Sequence, residues 1–282
     1  MHSITLNNGV EIPALGFGTW GIDDKRVADA VRTAVALGYR HIDTAQAYEN
    51  ERGVGEGIRT CGIPRKDLFV VSKVAAEHKS YDAALTSIDQ TLANMQLDYL
   101  DMMIIHSPQP WAEWRGEKRY FTENRAVWRT MEDALRAGKL RAIGISNFLT
   151  DDLDNLLSDC RIKPAVNQIL AHIGNTPAEL IAECQSKGIA VEAYSPIAHG
   201  EARKNAVITE TAKAYGISYS QLCIQYLLQL GLIALPKAST YHHMKENITL
   251  NFVISDADME KLRHVKFRDY GSYSHFPVFS GK

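Results

Sequence analysis

Residues 69–106 read FVVSKVAAEHKSYDAALTSIDQTLANMQLDYLDMMIIH, and this stretch decides the fold. It opens on an apolar run, Phe69–Lys73, and closes on another, Leu100–His106. Neither alternates polar with apolar residues, so both read as strands buried on both faces, the pattern of a parallel sheet. Between them Tyr81–Met95 carries apolar residues at helical spacing.

The same rhythm continues outward in both directions. Further candidate strands lie at Leu15–Thr19, His41–Thr44, Ala142–Ser146, Ala165–Ile169, Ala190–Tyr194 and Ile233–Pro236, which makes eight in all. Lys25–Leu37, Glu123–Ala137 and Pro177–Lys187 read as helices, with Gly38, Gly138 and Gly188 placed to stop them in the left-handed conformation. Eight buried strands joined by helices predict an α/β fold of the (β/α)8 TIM-barrel type, one domain over residues 1–282, with no internal repeat. Ahead of it, Ile4–Leu6 and Val10–Ile12 flank Asn7-Asn8-Gly9, a tight hairpin within residues 1–13 expected to cap the barrel bottom. Residues 107–121 and 265–282 are longer than the rhythm requires and rich in aromatics, and are expected to border a substrate pocket.

Composition narrows the function classes. The 282 residues suit a barrel of roughly 250. A formal charge of −2 gives no electrostatic reason to expect nucleic acid or an anionic membrane. Cys61, Cys160, Cys184 and Cys223 are widely spaced and form no CxxC pair, which argues against a disulfide framework or a zinc ribbon and for reduced thiols. The first nine residues are polar, and the most apolar stretch, Leu222–Pro236, is interrupted by Gln225, Gln229 and Gly231. The expectation is a cytoplasmic monomer acting on a small molecule, with no nucleic acid or membrane partner. No metal is expected, because His242 and His243 are adjacent and cannot aim at one ion from a helix.

Gly16-Phe17-Gly18-Thr19-Trp20-Gly21 matches the GxGxxG dinucleotide fingerprint, with Asp43 about twenty residues on. Electrostatics argue against that reading. A pyrophosphate would have to sit at a helix entry already occupied by Asp23 and Asp24, which make better helix caps than phosphate neighbours.

Barrel enzymes place their chemistry at the carboxyl ends of the strands. Those ends supply Asp43, Tyr48, Lys73 and His106. A parallel barrel brings adjacent strand ends together, and the four groups suit proton transfer to a carbonyl. Tyrosine is a weak acid near pKa 10. Lys73 beside Tyr48 is expected to pull it toward the working range, with Asp43 keeping Lys73 charged and His106 orienting the carbonyl oxygen.

Asp43-Thr44-Ala45-Gln46-Ala47-Tyr48, Ser72-Lys73 and Ile104-Ile105-His106 resemble the Asp–Tyr–Lys–His tetrad segments of the aldo-keto reductase family, of the prokaryotic type with a short C-terminal loop. The resemblance extends through Gly144–Phe148, Asn167-Gln168, Glu192–Pro196, Pro236-Lys237 and Glu246-Asn247, covering roughly residues 4 to 251. It implies an NADPH-dependent reductase of aldehydes and ketones, α-dicarbonyl or keto-sugar compounds among them, with Tyr48 as proton donor. It also implies a cofactor lying across the barrel mouth. Tyr194 would stack on the nicotinamide, and Ser146, Asn147 and Gln168 would hold its carboxamide. Thr19, Trp20, Ser195, Pro196 and Ile197 would line the same cleft. Lys237, Ala238, Ser239, Thr240 and His243 would meet the adenosine-ribose phosphate, with Glu246 and Asn247 near the adenine. Trp20, Tyr48, His106, Trp111 and Trp114 would form the substrate pocket.

Three departures matter. Ala238 and His243 stand where the family usually has a serine and an arginine, so a guanidinium grip on the 2′-phosphate is lost. NADPH use with appreciable NADH use is expected. Ser107 stands where a tryptophan commonly follows the histidine, and Val74-Ala75-Ala76-Glu77 lacks the usual Trp-Asn. Two other readings compete: an alcohol or sugar dehydrogenase working oxidatively, and a nicotinamide-binding sensor with little catalysis. An intact tetrad speaks against the sensor.

Overall fold

In the computed structural model, which describes residues 2–281, a two-stranded hairpin precedes an eight-stranded parallel sheet. The hairpin is β1 (Ser3–Thr5) and β2 (Glu11–Pro13), with Ile4 opposite Ile12. The sheet follows chain order: β3 (Phe17–Gly18), β4 (His41–Asp43), β5 (Phe69–Val74), β6 (Leu100–Ile105), β7 (Leu140–Ser146), β8 (Val166–Leu170), β9 (Ala190–Tyr194) and β10 (Ile233–Leu235). The ring closes between its ends, where the Gly16 amide donates to Ala234 O at 2.9 Å and the Gly18 amide to Pro236 O at 3.1 Å. Every strand expected from the sequence is present, the first reduced to two residues, Phe17 and Gly18, with Leu15 paired separately to Ala234.

Helices α1 (Asp24–Ala36), α2 (Glu51–Thr60), α3 (Tyr81–Met95), α4 (Phe121–Arg136), α5 (Thr150–Leu157), α6 (Ala178–Ser186), α7 (Ala206–Ala214), α8 (Tyr219–Gln229), α9 (Tyr241–Ile248) and α10 (Asp256–Arg263) pack outside the ring. None of the described residues forms a helix long and apolar enough to cross a membrane. One apolar cluster joins helices to the outer face of the strands, including Val27, Val31, Trp128, Leu153 and Leu227. A second fills the barrel's lower end, where Leu6 and Ile12 of the hairpin segment meet Phe69, Met102 and Val166. Asn7 and Asn8 fasten the hairpin by donating to Pro164 O at 2.8 Å and Arg141 O at 3.0 Å. The hairpin caps the bottom as expected, but its turn differs. The Gly9 amide donates to Leu6 O at 2.9 Å and Gly9 alone is left-handed, at φ +82°. That is a three-residue loop ending on a left-handed glycine, which shifts the strands outward by one residue.

The helix entry that follows the GxGxxG segment is filled by the protein's own carboxylates. Asp23 Oδ1 accepts from the Lys25 amide at 2.9 Å and caps α1. Asp24 instead serves the neighbouring helix, accepting from the Gly53 amide at 2.7 Å and pairing with Arg52. α2 itself was not among the expected helices, because Gly53, Gly55 and Gly57 depress helix propensity by about 1 kcal/mol each. Close packing explains them: a Cβ on Gly53 would lie 2.2 Å from Asp24 O, and one on Gly57 2.7 Å from Val31 Cβ. The two helices approach with no room for side chains between them.

Candidate active site

Asp43 ends β4, Lys73 lies near the end of β5, and His106 follows β6. Tyr48 ends a short 3-10 turn, Gln46–Tyr48, just beyond β4. Gln46 fixes that turn, donating to Ser87 O at 3.0 Å and accepting from the Ala75 amide at 2.8 Å. The structure brings all four expected residues together. Lys73 Nζ, fully buried, donates to Asp43 Oδ1 at 2.6 Å, to Thr44 O at 2.8 Å and to Tyr48 Oη at 3.3 Å. Three acceptors use all three ammonium hydrogens. The His106 ring meets Tyr48 edge-on, with centroids 5.6 Å apart.

The electrostatics correct one expectation. Burial pushes the Tyr48 phenol above its usual pKa, and Lys73 pulls the other way without overcoming it. The phenol therefore starts protonated. Burial works against the Lys73 ammonium, but Asp43 and Tyr48 together more than offset it and the pKa is raised. Burial, then Lys73 and Lys79, hold His106 well below the ordinary imidazole range, so it is neutral.

A cavity of about 950 Å³ opens above these groups. Trp20, Tyr48, His106 and Trp111 line it, as do Ser146, Asn147, Gln168, Tyr194, Ser195, Pro196, Ile197 and Lys237. Asn147 is left-handed at φ +63° and tightly held. Its Nδ2 donates to His106 O at 3.1 Å and Ser146 Oγ at 2.9 Å, while Tyr194 Oη donates to its Oδ1 at 2.7 Å. These bonds fix the Tyr194 ring at the cavity wall. Lys237, bridged to Gly18, also lines the cavity, its pKa lowered by partial burial and then by the nearby charge of Arg26.

Other expected site residues lie off the cavity wall. Thr19 is buried behind it, donating to Asp43 O at 2.9 Å. Trp114 stacks behind Trp111, with centroids 5.7 Å apart, and is covered by Arg115. Ala238, Ser239, Thr240, His243, Glu246 and Asn247 lie beyond Lys237 on α9 and its entry, where Thr240 Oγ1 accepts from the His243 amide at 3.3 Å.

Ser107 does remove one aromatic wall, but Trp111 supplies another, its ring edge-on to His106 at 5.1 Å. Lys79 braces this turn, donating to Ser107 O at 2.7 Å and to Asn124 Oδ1 at 2.9 Å, while Asn124 Nδ2 donates to Pro108 O at 2.9 Å. Sequence reasoning missed Lys79, and also His199, which stacks on Tyr273 at 4.1 Å and accepts or donates to Ser195 at 3.2 Å. No local sequence signal marked either residue; His199 is presented by the Ala198-His199-Gly200 run, whose three residues are all left-handed. The tail residues Tyr273, Phe276 and Phe279 pack on Trp20 and line the cavity themselves, with His199 filling the space between Trp20, Tyr273 and Phe279.

The Aldo/keto reductase family profile matches residues 14–266. The chain belongs to the aldo/keto reductase family. It is 38% identical over 262 residues to the glyoxal reductase of Bacillus subtilis (strain 168), covering 92% of this chain and 91% of that protein. It is 37% identical over 273 residues to the morphine 6-dehydrogenase of Pseudomonas putida, covering 92% and 89%. Among solved structures, an aldo/keto reductase from Brucella melitensis superposes with a TM-score of 0.87 at 32% identity, covering 93% of this chain and 97% of that one. This aldo/keto reductase is accordingly an NAD(P)H-dependent oxidoreductase that reduces carbonyl compounds.

Proposed function

We propose that the enzyme reduces small aldehydes and ketones, α-dicarbonyl compounds in particular, with Tyr48 as the proton donor. The observation that carries this is the Asp43–Lys73–Tyr48 chain beneath an aromatic cavity. A bound reduced nicotinamide would supply the hydride. The residues present fit such a cofactor: Gln168, Asn147 and Ser146 offer polar groups in the same cavity wall as the Tyr194 ring, and Lys237 offers a cation in that wall.

The chain's own part is proton supply and orientation. Neutral His106 has its Nδ1 buried without a partner among the described residues, so Nε2 is the ring nitrogen left to meet a substrate oxygen at the cavity wall, and it does so without adding charge. Tyr48 gives up its proton as negative charge develops on the substrate oxygen, and Lys73 steadies the phenolate left behind. Aromatic walls from Trp20 and Trp111 exclude water from this transfer. Similarity to a glyoxal reductase supports the α-dicarbonyl class. Similarity to a morphine dehydrogenase supports a second reading, alcohol oxidation by the same groups run backward.

The test is loss of reduced-cofactor absorbance with NADPH or NADH and a panel of aldehydes, α-dicarbonyls and ketoses. Turnover that Tyr48→Phe cuts by roughly 10²–10⁴-fold, with cofactor still bound, is the expected result. Near wild-type turnover in that variant would remove Tyr48 from its role.

A further inference from the structure

Beneath the Asp43–Lys73 pair the barrel interior holds two more ionisable side chains, His41 on β4 and Glu192 on β9, both fully buried. His41 Nδ1 lies 3.2 Å from Pro13 O. A carbonyl only accepts, so Nδ1 carries a hydrogen. His41 Nε2 faces Glu192 Oε1 at 3.4 Å, and neither atom has a hydrogen-bond partner elsewhere among the described residues. Were both bare, two lone pairs would confront each other in a dry interior; one hydrogen between them satisfies both.

The other Glu192 oxygen is tied to the site. Gln168 Nε2 donates to Glu192 Oε2 at 2.7 Å and to Asp43 Oδ2 at 3.0 Å. Both amide hydrogens of Gln168 are thereby used, leaving its Oε1 as the remaining polar atom on a residue that lines the cavity. An acceptor held there suits the NH₂ of a carboxamide.

We propose that Glu192 and His41 hold one proton between them, and that this neutral buried pair is a positioning device locking Gln168 with its acceptor toward the nicotinamide carboxamide. The proposal rests on the cofactor reading above. Burial first, then the charge of Asp43, push the Glu192 carboxyl up to about 8, against the pull of Gln168 and Lys73. Burial likewise takes His41 down to about 4, with Asp43, Lys73 and Asp101 the charges that face it. The proton therefore sits on Glu192 at neutral pH. The remaining packing around His41 is uncharged: the Phe69 ring lies edge-on at 5.4 Å, and Gly16 on the β3 side leaves the space, since a Cβ there would come within 2.8 Å of Nδ1.

Glutamine at position 192 would reproduce the acid's pattern, one acceptor toward Gln168 and one donor toward His41, without a titratable proton. Leucine removes both. Infrared difference spectra of the wild type should show a protonated-carboxyl C=O band at neutral pH that disappears as pH rises through about 8 and is missing from Glu192→Gln. Fluorescence titrations with NADPH should show affinity within about twofold across that rise in both the wild type and Glu192→Gln, because the oxygen facing Gln168 accepts its hydrogen bond in either protonation state. Glu192→Leu should bind about tenfold more weakly at neutral pH, because Gln168 then keeps only its bond to Asp43 and one amide hydrogen is left without an acceptor. Absence of the band, or a Glu192→Leu protein that binds NADPH as tightly as the wild type, overturns the proposal. The band is read without cofactor, so failure of either nucleotide to bind at any pH would sink the cofactor reading separately.

Discussion

At the scale of single residues, opposing effects on one atom decide the chemistry. Tyr48 has a cation 3.3 Å away, yet its phenol is a weaker acid than free tyrosine because burial outweighs that cation. The sequence shows that Lys73 shares the site but not how dry the site is. His41 and Glu192 were equally hidden, since an isolated polar residue inside an apolar run reads as a strand member. Their titration has a checkable consequence for stability. Unfolded, Glu192 loses its proton near 4.5 and His41 near 6.5; folded, the values move to about 8 and about 4. The raised Glu192 value means stability lost as pH climbs from 4.5 toward 8, and the depressed His41 value means stability lost as pH falls from 6.5 toward 4. Between 4.5 and 6.5 the two cancel, one proton being bound to the pair in either state. Above 6.5 only the folded state keeps it, so stability falls toward pH 8. Chemical denaturation should show the wild type losing about 2 kcal/mol more than Glu192→Gln over that interval. Parallel pH profiles for the two proteins would contradict the assignment.

At the scale of elements, α9 sets the cofactor question. Its first turn carries His243 in an exposed position, its backbone amide bound to Thr240, and Lys237 lies just upstream. A 2′-phosphate reaching this turn would meet one lysine and the amide end of a helix, without a guanidinium. His243→Arg should therefore tighten NADPH by about tenfold, an added charge-assisted bond being worth roughly 1.5–3 kcal/mol, while leaving NADH nearly unchanged. Equal effects on the two nucleotides, read by fluorescence quenching, would place the phosphate elsewhere. Elements differ in how legibly the sequence announces them. The strands were visible because parallel strands buried on both faces leave continuous apolar runs. Helix stops were visible too: Gly38, Gly138 and Gly188 are left-handed, at φ +105°, +76° and +71°. α2 was not, because its glycines answer to close helix packing, which has no local signature. The brace of Lys79 and Asn124 beneath the His106 turn was hidden for a related reason, joining residues 45 apart in the chain.

At the scale of the whole molecule, the barrel separates stability from chemistry along its axis. The tetrad and cavity occupy the carboxyl ends of the strands, while the hairpin closes the opposite end. Between them lie strand residues such as Val71, Met102 and Ile104, fully buried and close-packed. Ile12 tests how well this separation holds. It is completely buried in the bottom cluster and belongs to an element contributing no residue to the cavity wall. Ile12→Ala removes buried methyl groups and leaves a space that the hairpin can only partly collapse into, at a cost of about 2–5 kcal/mol. The expected result is a melting temperature lower by several degrees, with NADPH affinity and turnover at moderate temperature within twofold of wild type. A proportionate loss of cofactor affinity would mean that the packed interior transmits strain from the bottom cluster to Asp43 and Lys73. The hairpin would then be part of the site's support, and no longer only a plug.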